Sequence, residues 1–450
     1  MKLTTKYLSI YLYIFLINTS FISSIIEIPL YPTKVKGIPK YDNISIFEPY
    51  DPYNENNSIS FIDKGNAFIN GNRLFLAQIK IGSEAQIFNL ILDTGSSILW
   101  VGRNGCDGNH GLIHKFNPAT SKTARNTGQP FNMKYGSGAC TGYYYNDNIE
   151  YIPDKKFNMY FGVADVANFN VDNGDGIIGL SKEYNDNKLS FIHMLKESGN
   201  TDSLLFSIKF ESKEFLRNVE GTMYIGKHED FSQNGSVSVP MVFHLSKIFW
   251  ACTLSSFGLN DTKNYIHSDF ETNVIFDTGT NFIILPIRYL NEIEKDLDKF
   301  GCQAINTRNG YQFACVSEPL PNFIFKFDRH SFRIPMKYAS YSPISGAYIS
   351  TISFQKSGTF IIGSPFFFVY HTLFDADSDE LKFYPLKDGF IQSGSRKLST
   401  VAIVFIVIGC VVFIVAVALI IYCSVKKCKE KKNKNIIPET IGEDYYGLYK

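Results

Sequence analysis

Phe88–Gly102 reads FNLILDTGSSILWVG, and Thr272–Pro286 reads TNVIFDTGTNFIILP. Each is an apolar run that ends in Asp-Thr-Gly and then resumes. The first is followed by GDGIIGL at Gly174–Leu180, the second by TFIIGSPF at Thr359–Phe366. Gly179 and Gly363 each lie 86 residues beyond their aspartates, Asp93 and Asp277, and the two copies are 184 residues apart. Identical order and spacing in two halves predict two lobes of one design related by approximate two-fold symmetry. In each, an apolar strand delivers a tight turn, where glycine admits a close approach of backbone that a bulkier residue would block. The turn thrusts a carboxylate out of the strand.

If the lobes face each other, Asp93 and Asp277 meet on the pseudo-dyad. Two carboxylates about 3 Å apart cannot both ionise, so they share a proton and titrate as a pair. One member is then a base while its twin is an acid. Such a pair can take a proton from a bound water, direct that water at a peptide carbonyl, and protonate the departing amine. This chemistry requires no metal and no cofactor, and none is expected. The eight histidines form no H-E-x-x-H motif, and no cysteine spacing suits zinc.

Around the two motifs the chain breaks into short apolar, β-branched and aromatic runs separated by Gly, Asn, Asp and Pro, among them Leu74–Ile81, Ile87–Leu92, Leu204–Phe210, Thr222–Ile225, Ser236–Phe243 and Phe323–Phe327. This pattern predicts an all-β fold. Helical spacing of apolar residues is confined to Leu189–Glu197 and Tyr289–Phe300. Residues 27–65, rich in Pro, Asn, Asp and Ser without a sustained period, read as a segment outside the main fold.

The 450 residues carry 44 Lys+Arg and 43 Asp+Glu, so the strong basic excess of a nucleic-acid binder is missing. The charge divides unevenly. Residues 424–450 hold 7 Lys against 4 acids, while residues 25–423 carry 35 basic and 39 acidic side chains, a net of −4. Residues 7–26 are apolar after Lys2 and Lys6 and decay into Ser23-Ser24, the pattern of a secretory signal peptide. Val401–Cys423 contains no charge over 23 residues, enough to cross a hydrocarbon core about 30 Å thick. Six lysines follow between Lys426 and Lys434 and should stay cytosolic. The expectation is a single-pass type I membrane protein of the secretory pathway, with its main body lumenal or extracellular.

In that oxidising setting Cys302 and Cys315, on either side of Asn309-Gly310, are the expected disulfide. Cys106, Cys140 and Cys252 have no pairing fixed by sequence, and one thiol of the five lumenal cysteines should remain. Asn43, Asn56, Asn234 and Asn260 lie in glycosylation sequons. Tyr445-Tyr446-Gly447-Leu448 fits a tyrosine-based sorting signal.

DTGSS at Asp93–Ser97 with Trp100, KYGSG at Lys134–Gly138, DGIIGL at Asp175–Leu180, DTGT at Asp277–Thr280 and FIIGSPF at Phe360–Phe366 together resemble the pepsin-like aspartic proteases, over about residues 66–390. The C-terminal anchor and a composition rich in Asn, Ile, Lys, Phe and Tyr are similar to plasmepsin-like members from apicomplexan parasites. The resemblance implies a bilobal fold and a catalytic dyad of Asp93 and Asp277. Ser96 and Thr280 would hydrogen-bond the outer carboxylate oxygens, and Thr94 and Thr278 would tie the two loops together. Tyr135, with Gly136, Ser137 and Gly138, matches a mobile flap over the substrate, with Trp100 packed against the tyrosine.

It also implies a domain plan. Residues 1–24 are the signal peptide and 25–65 a prosegment, in which Lys34 or Lys36 would pair with the dyad. The N-terminal lobe spans 66–230 and the C-terminal lobe 231–392. A linker (393–400), a transmembrane helix (401–423) and a cytosolic tail (424–450) follow. The activity implied is monomeric endopeptidase action on protein or peptide substrates, with hydrophobic residues at the cut. A catalytically inactive, membrane-anchored protein-binding module on the same fold is the alternative. The sequence departs from the family pattern in three places. Ser364 follows Gly363 where Asp is usual, Cys106 lacks the close partner often found after the first motif and could use Cys140 instead, and Ile98 stands at a commonly polar position.

Overall fold

The computed structural model describes residues 26–32, 74–394 and 400–434, apart from 109–110, 153, 169–173, 183–189, 215–216, 227, 243–247, 260–265, 308–309, 317–319, 345–346, 357 and 359. Lys34, Lys36, the sequons at Asn43, Asn56 and Asn260, and Tyr445–Leu448 lie outside the described residues. Residues up to Ser393 form one compact unit and those from Gly394 onward a second.

The first unit is built almost wholly of short strands in two sheets. In the larger, thirteen strands run in the order Val237–Pro240, Glu380–Pro385, Tyr370–Asp375, Leu205–Glu214, Arg217–Ile225, Ile26–Pro32, Phe75–Ile81, Gln86–Asp93, Gly176–Gly179, Trp100–Asp107, Lys155–Asn168, Gly138–Ile152 and Arg125–Tyr135. The second sheet has twelve strands and includes Ile283–Pro286, Phe360–Ile362, Ile266–Phe276, Ala251–Leu259, Asn322–Phe327, His330–Pro335 and, at its edge, Phe390–Ser393.

The duplicated sequence reappears as duplicated pairing. Gln86–Asp93 runs parallel to Gly176–Gly179, with Asp93 opposite Gly179, and Gly176–Gly179 runs antiparallel to Trp100–Asp107. Likewise Ile266–Phe276 runs parallel to Phe360–Ile362, with Phe276 opposite Ile362, and the latter runs antiparallel to Ile283–Pro286. Each D-T-G therefore emerges from an interior strand whose neighbour comes from 86 residues downstream.

These strands are buried on both faces, so their sequences read as nearly continuous apolar runs rather than strict alternation. Phe88, Leu90 and Leu92 face the main core while Ile91 packs into a second cluster with Ile98, Trp100, Phe131, Cys140 and Ile177. Behind the second D-T-G, Phe276, Phe332, Phe366, Tyr370 and Phe383 are fully enclosed. Their ring centroids lie 4.6–5.8 Å apart in mostly edge-on or tilted pairs. Each such pair contributes about 0.5–1.5 kcal/mol beyond its burial, which fixes the base on which Asp277 stands.

Both expected helices are present, as Phe191–Glu197 and as Leu290–Leu297 flanked by 3₁₀ turns. Cys302 and Cys315 face each other across an antiparallel pair and are joined in a disulfide. Two expectations need correction. Part of the segment read as lying outside the fold, Ile26–Pro32, is a strand inserted between Arg217–Ile225 and Phe75–Ile81.

The other correction concerns the cysteines: among the described residues none of Cys106, Cys140 and Cys252 is in a disulfide, so three thiols remain where one was expected. Cys106 and Cys140 lie in the same buried cluster, on strands separated by Lys155–Asn168. Cys252 belongs to the other sheet.

The second unit contains the helix Thr400–Lys434. Its segment Ile408–Lys427 is long and apolar enough to cross a membrane, and its large apolar side chains are exposed, Phe413 at 69% and Ile420 at 66%.

Candidate active site

Asp93 closes the strand Gln86–Asp93 and Asp277 follows Ile266–Phe276, and the two turns face each other across the pseudo-dyad. A methyl group placed on Gly95 would lie 2.7 Å from the Asp277 carboxyl carbon. One placed on Gly279 would lie 2.8 Å from the Asp93 carboxyl carbon. Glycine is required at both positions because the opposite carboxylate occupies the space of a side chain.

The two carboxylates have mirrored supports. Gly95 N donates to Asp93 Oδ1 at 2.9 Å, and Gly279 N to Asp277 Oδ1 at 2.8 Å. Ser96 Oγ donates to Asp93 Oδ2 at 2.5 Å, and Thr280 Oγ1 to Asp277 Oδ2 at 2.6 Å. With one oxygen of each carboxylate held by a backbone amide and the other by a hydroxyl, neither group can rotate freely. Asp93 is buried, at 6% exposure, and Asp277 is half-buried. Burial, then the charge of Asp277 and a hydrogen bond with it, hold the Asp93 carboxyl well above the usual carboxylate range, against the opposing hydrogen bond from Ser96. The protonated form of one carboxyl beside its charged twin is the expected state of such a pair.

Thr94 and Thr278 lock the loops together. Thr94 Oγ1 donates to Phe276 O (2.8 Å) and accepts from Thr278 N (3.0 Å). Reciprocally, Thr278 Oγ1 donates to Leu92 O (2.8 Å) and accepts from Thr94 N (3.2 Å). Both threonines are buried. Four hydrogen bonds thus cross between halves of the chain separated by more than 180 residues.

The strands Arg125–Tyr135 and Gly138–Ile152 form a hairpin in which Tyr135 pairs with Gly138, leaving Gly136 and Ser137 exposed at the tip. Tyr135 is half-buried against the cluster that contains Trp100, and Trp100 Nε1 donates to its hydroxyl at 2.8 Å. Burial, followed by the proximity of Cys140 and Asp93, raises the Tyr135 phenol well above its ordinary value, so it remains protonated.

Ser364, in the position where an aspartate is usual, is buried, and both its N and Oγ donate to Thr280 O, at 2.8 and 3.1 Å. It therefore braces the residue that holds Asp277. In the first half Ser181 N donates to Ser96 O at 2.9 Å and braces the corresponding serine. Ile98 is buried in the cluster beneath the flap.

Asp175, quoted only as part of a motif, proves to be an anchor. Fully buried, it accepts from the backbone N–H of Asn89 (2.8 Å) and of His114 (2.6 Å), and pairs with His114 Nδ1 at 2.9 Å. This fixes the strand that leads to Asp93.

A second buried polar cluster escaped the sequence reading. His371 Nε2 meets Ser207 Oγ and Nδ1 meets Asp230 Oδ2, both at 2.9 Å, with His228 Nδ1 3.5 Å from the same carboxylate oxygen. His228, Asp230 and His371 are of metal-ligating type and lie close together. Lys209 Nζ, however, sits 3.1 Å from Asp230 Oδ2, where a cation would have to lie. Burial drives the His371 imidazole down to about 3. Burial works against the charge on Asp230, but hydrogen bonds from His371 and Lys209 hold its carboxyl below the usual range. The group is a hydrogen-bonded network joining the strands Leu205–Glu214 and Tyr370–Asp375 to the turn that carries Asp230.

Comparison with known proteins agrees with this geometry. The family model described as "Eukaryotic aspartyl protease" matches residues 74–386. Gastricsin of Rattus norvegicus is 26% identical over 320 residues, covering 68% of this chain and 79% of that protein. The vacuolar aspartic protease of Candida albicans is 27% identical over 335 residues, 70% of this chain and 76% of that one. Plasmepsin IV of Plasmodium falciparum is 25% identical over 349 residues, with coverage of 74% and 73%. The family match spans well over half of the sequence, and this chain belongs to the eukaryotic aspartyl proteases.

Proposed function

We propose that the protein is an active aspartic endopeptidase in which Asp93 and Asp277 share one proton and activate a water between them. The water loses a proton to the ionised carboxylate and attacks the peptide carbonyl, while the protonated carboxyl donates to the carbonyl oxygen. The same carboxyls then return a proton to the departing amine. The observation that carries this reading is the mirrored support of the two carboxylates, each held by a glycine amide and a hydroxyl while facing the other. Preorganised donors of this kind lower the barrier without moving during reaction.

Tyr135 and the Gly136–Gly138 tip close over the bound peptide, with Trp100 holding the tyrosine hydroxyl. The apolar cluster beneath, with Ile98 and Phe131, favours hydrophobic side chains at the scissile bond. The N-terminal lobe spans 66–230 and the C-terminal lobe 231–392. Residues 1–24 are a signal peptide, 25–65 a prosegment, and the exposed apolar helix anchors the protein as a single-pass type I membrane protein with the protease lumenal.

The test is cleavage of an internally quenched hydrophobic peptide by the full chain in detergent, across pH 3–7 and after release of residues up to 65. Cleavage that is abolished by Asp93→Ala, by Asp277→Asn and by a statine-type inhibitor is expected. Absence of cleavage throughout that range refutes the reading in favour of a binding module.

A further inference from the structure

Outside the cleft, Leu320, Arg333, Pro335, Met336, Lys337 and Asp388 help line a cavity of about 340 Å³. Arg333 lies on the strand His330–Pro335, three strands from the one that carries the Asp277 loop, or about 14 Å at ordinary strand spacing. Among the described residues its Nε is buried and has no hydrogen-bond partner. Its guanidinium carbon stands 5.1 Å from the centre of the Phe390 ring.

The nearby carboxylate is already engaged: Asp388 accepts from Lys337 Nζ at 2.8 Å and Tyr338 Oη at 2.5 Å. Those hydrogen bonds, Lys337 first, hold its carboxyl below the usual range, so it remains ionised and paired. Among the described residues no carboxylate pairs with Arg333, so its guanidinium is the uncompensated cation of the lining.

The lining identifies the occupant. Two cations against one anion leave a single positive charge, which suits a carboxylate better than a dianionic phosphate. The guanidinium fork matches carboxylate geometry, and Leu320, Pro335 and Met336 offer an apolar wall to the carbons behind it. Beside the cavity, Phe390–Ser393 is the outermost of the described strands on that side of its sheet, and Phe390 is 50% exposed. An extended chain can pair with such an edge.

We propose that this cavity is a carboxylate-binding exosite that takes an acidic residue of an extended polypeptide lying along the Phe390–Ser393 edge. The proposal rests on the endopeptidase reading only for the ligand being a polypeptide, and its test involves no cleavage. The full chain in detergent, its cleft saturated with a statine-type inhibitor, is titrated by calorimetry with an N-acetylated, C-amidated hexapeptide carrying one Glu among Leu and Val, and with its Gln twin. The Glu peptide should bind at least 10-fold more tightly, and Arg333→Met should erase the difference while leaving the unfolding temperature within 2 °C.

Equal binding of the two peptides overturns the proposal. So does a preference for Glu that survives Arg333→Met. Arg333-dependent binding of phosphatidylserine vesicles with no binding of the Glu peptide overturns it in favour of a lipid headgroup. Failure of the chain to cleave any peptide would refute the endopeptidase reading and leave the binding result standing.

Discussion

Replacing Thr278 with valine isolates the clasp between the two D-T-G loops. Valine keeps the shape and β-branching of threonine, so no cavity opens. It removes one donor and one acceptor. Leu92 O loses its partner at 2.8 Å and Thr94 N loses its partner at 3.2 Å, at a place where Thr94 and Thr278 are 0% and 4% exposed. Each buried backbone group left unpaired costs about 1–3 kcal/mol, so the loss of two should be roughly 2–6 kcal/mol. The bond from Thr278 N to Thr94 Oγ1 survives, which keeps the loss at one side of the clasp.

The effect on turnover should exceed that on binding, because the clasp sets the spacing of the carboxylates, and a misplacement of about 1 Å can cost some 10²-fold. Unfolding in urea, followed by fluorescence of the buried Trp100 and Trp250, measures stability, and kcat and KM on a quenched peptide measure function. Thr278→Ser restores the hydroxyl at the expense of one methyl, about 1 kcal/mol, and should recover most of the rate. A Thr278→Val protein within about 0.5 kcal/mol of wild type and with undiminished kcat would refute the view that the clasp holds the dyad.

Three further outcomes are expected. Trp100→Phe removes the Nε1–H that holds the Tyr135 hydroxyl at 2.8 Å; kcat/KM should fall about 10-fold, mainly through kcat, with stability little changed by comparison, and an unaltered rate would remove Trp100 from the flap. Replacing both Cys302 and Cys315 with Ser opens a ring closed across 13 positions and should cost about 3 kcal/mol; an unfolding midpoint insensitive to the replacement counts against the bridge as a stabilising element. His371 is neutral in the fold, its value held near 3 by burial, whereas the unfolded chain takes up a proton near pH 6.5. The unfolded state therefore binds more protons between those values, so the contribution is complete above about pH 6.5 and is lost as pH falls toward 3, by roughly 3–5 kcal/mol in all. Unfolding midpoints at pH 7, 5 and 4 should drop less steeply in His371→Gln than in wild type, and parallel slopes would contradict the assignment.

The dyad was legible because its information is local. An apolar run, a turn triplet and a glycine 86 residues later occur twice, and each copy specifies its own strand and its own carboxylate. The clasp and the flap contact were legible only through family resemblance, since nothing near Thr94 announces that its hydroxyl will reach Phe276 O. The strand Ile26–Pro32 shows what local reading loses. It is seven residues long and has Pro29 at its centre, and a proline cannot donate to a ladder, which argues against an interior strand.

Its partners are also remote. Pro29 lies opposite Thr222, while Pro32 lies opposite Phe75. The same holds for His371, which has an apolar strand around it in sequence and finds Ser207 and Asp230 from 164 and 141 residues away. In this fold the two facing carboxylates come from short motifs written twice. Ile26–Pro32 and the His371 cluster depend instead on pairings between segments remote in sequence, which no local motif announces. A motif written twice thus discloses a site more readily than a single residue discloses a partner more than a hundred positions away.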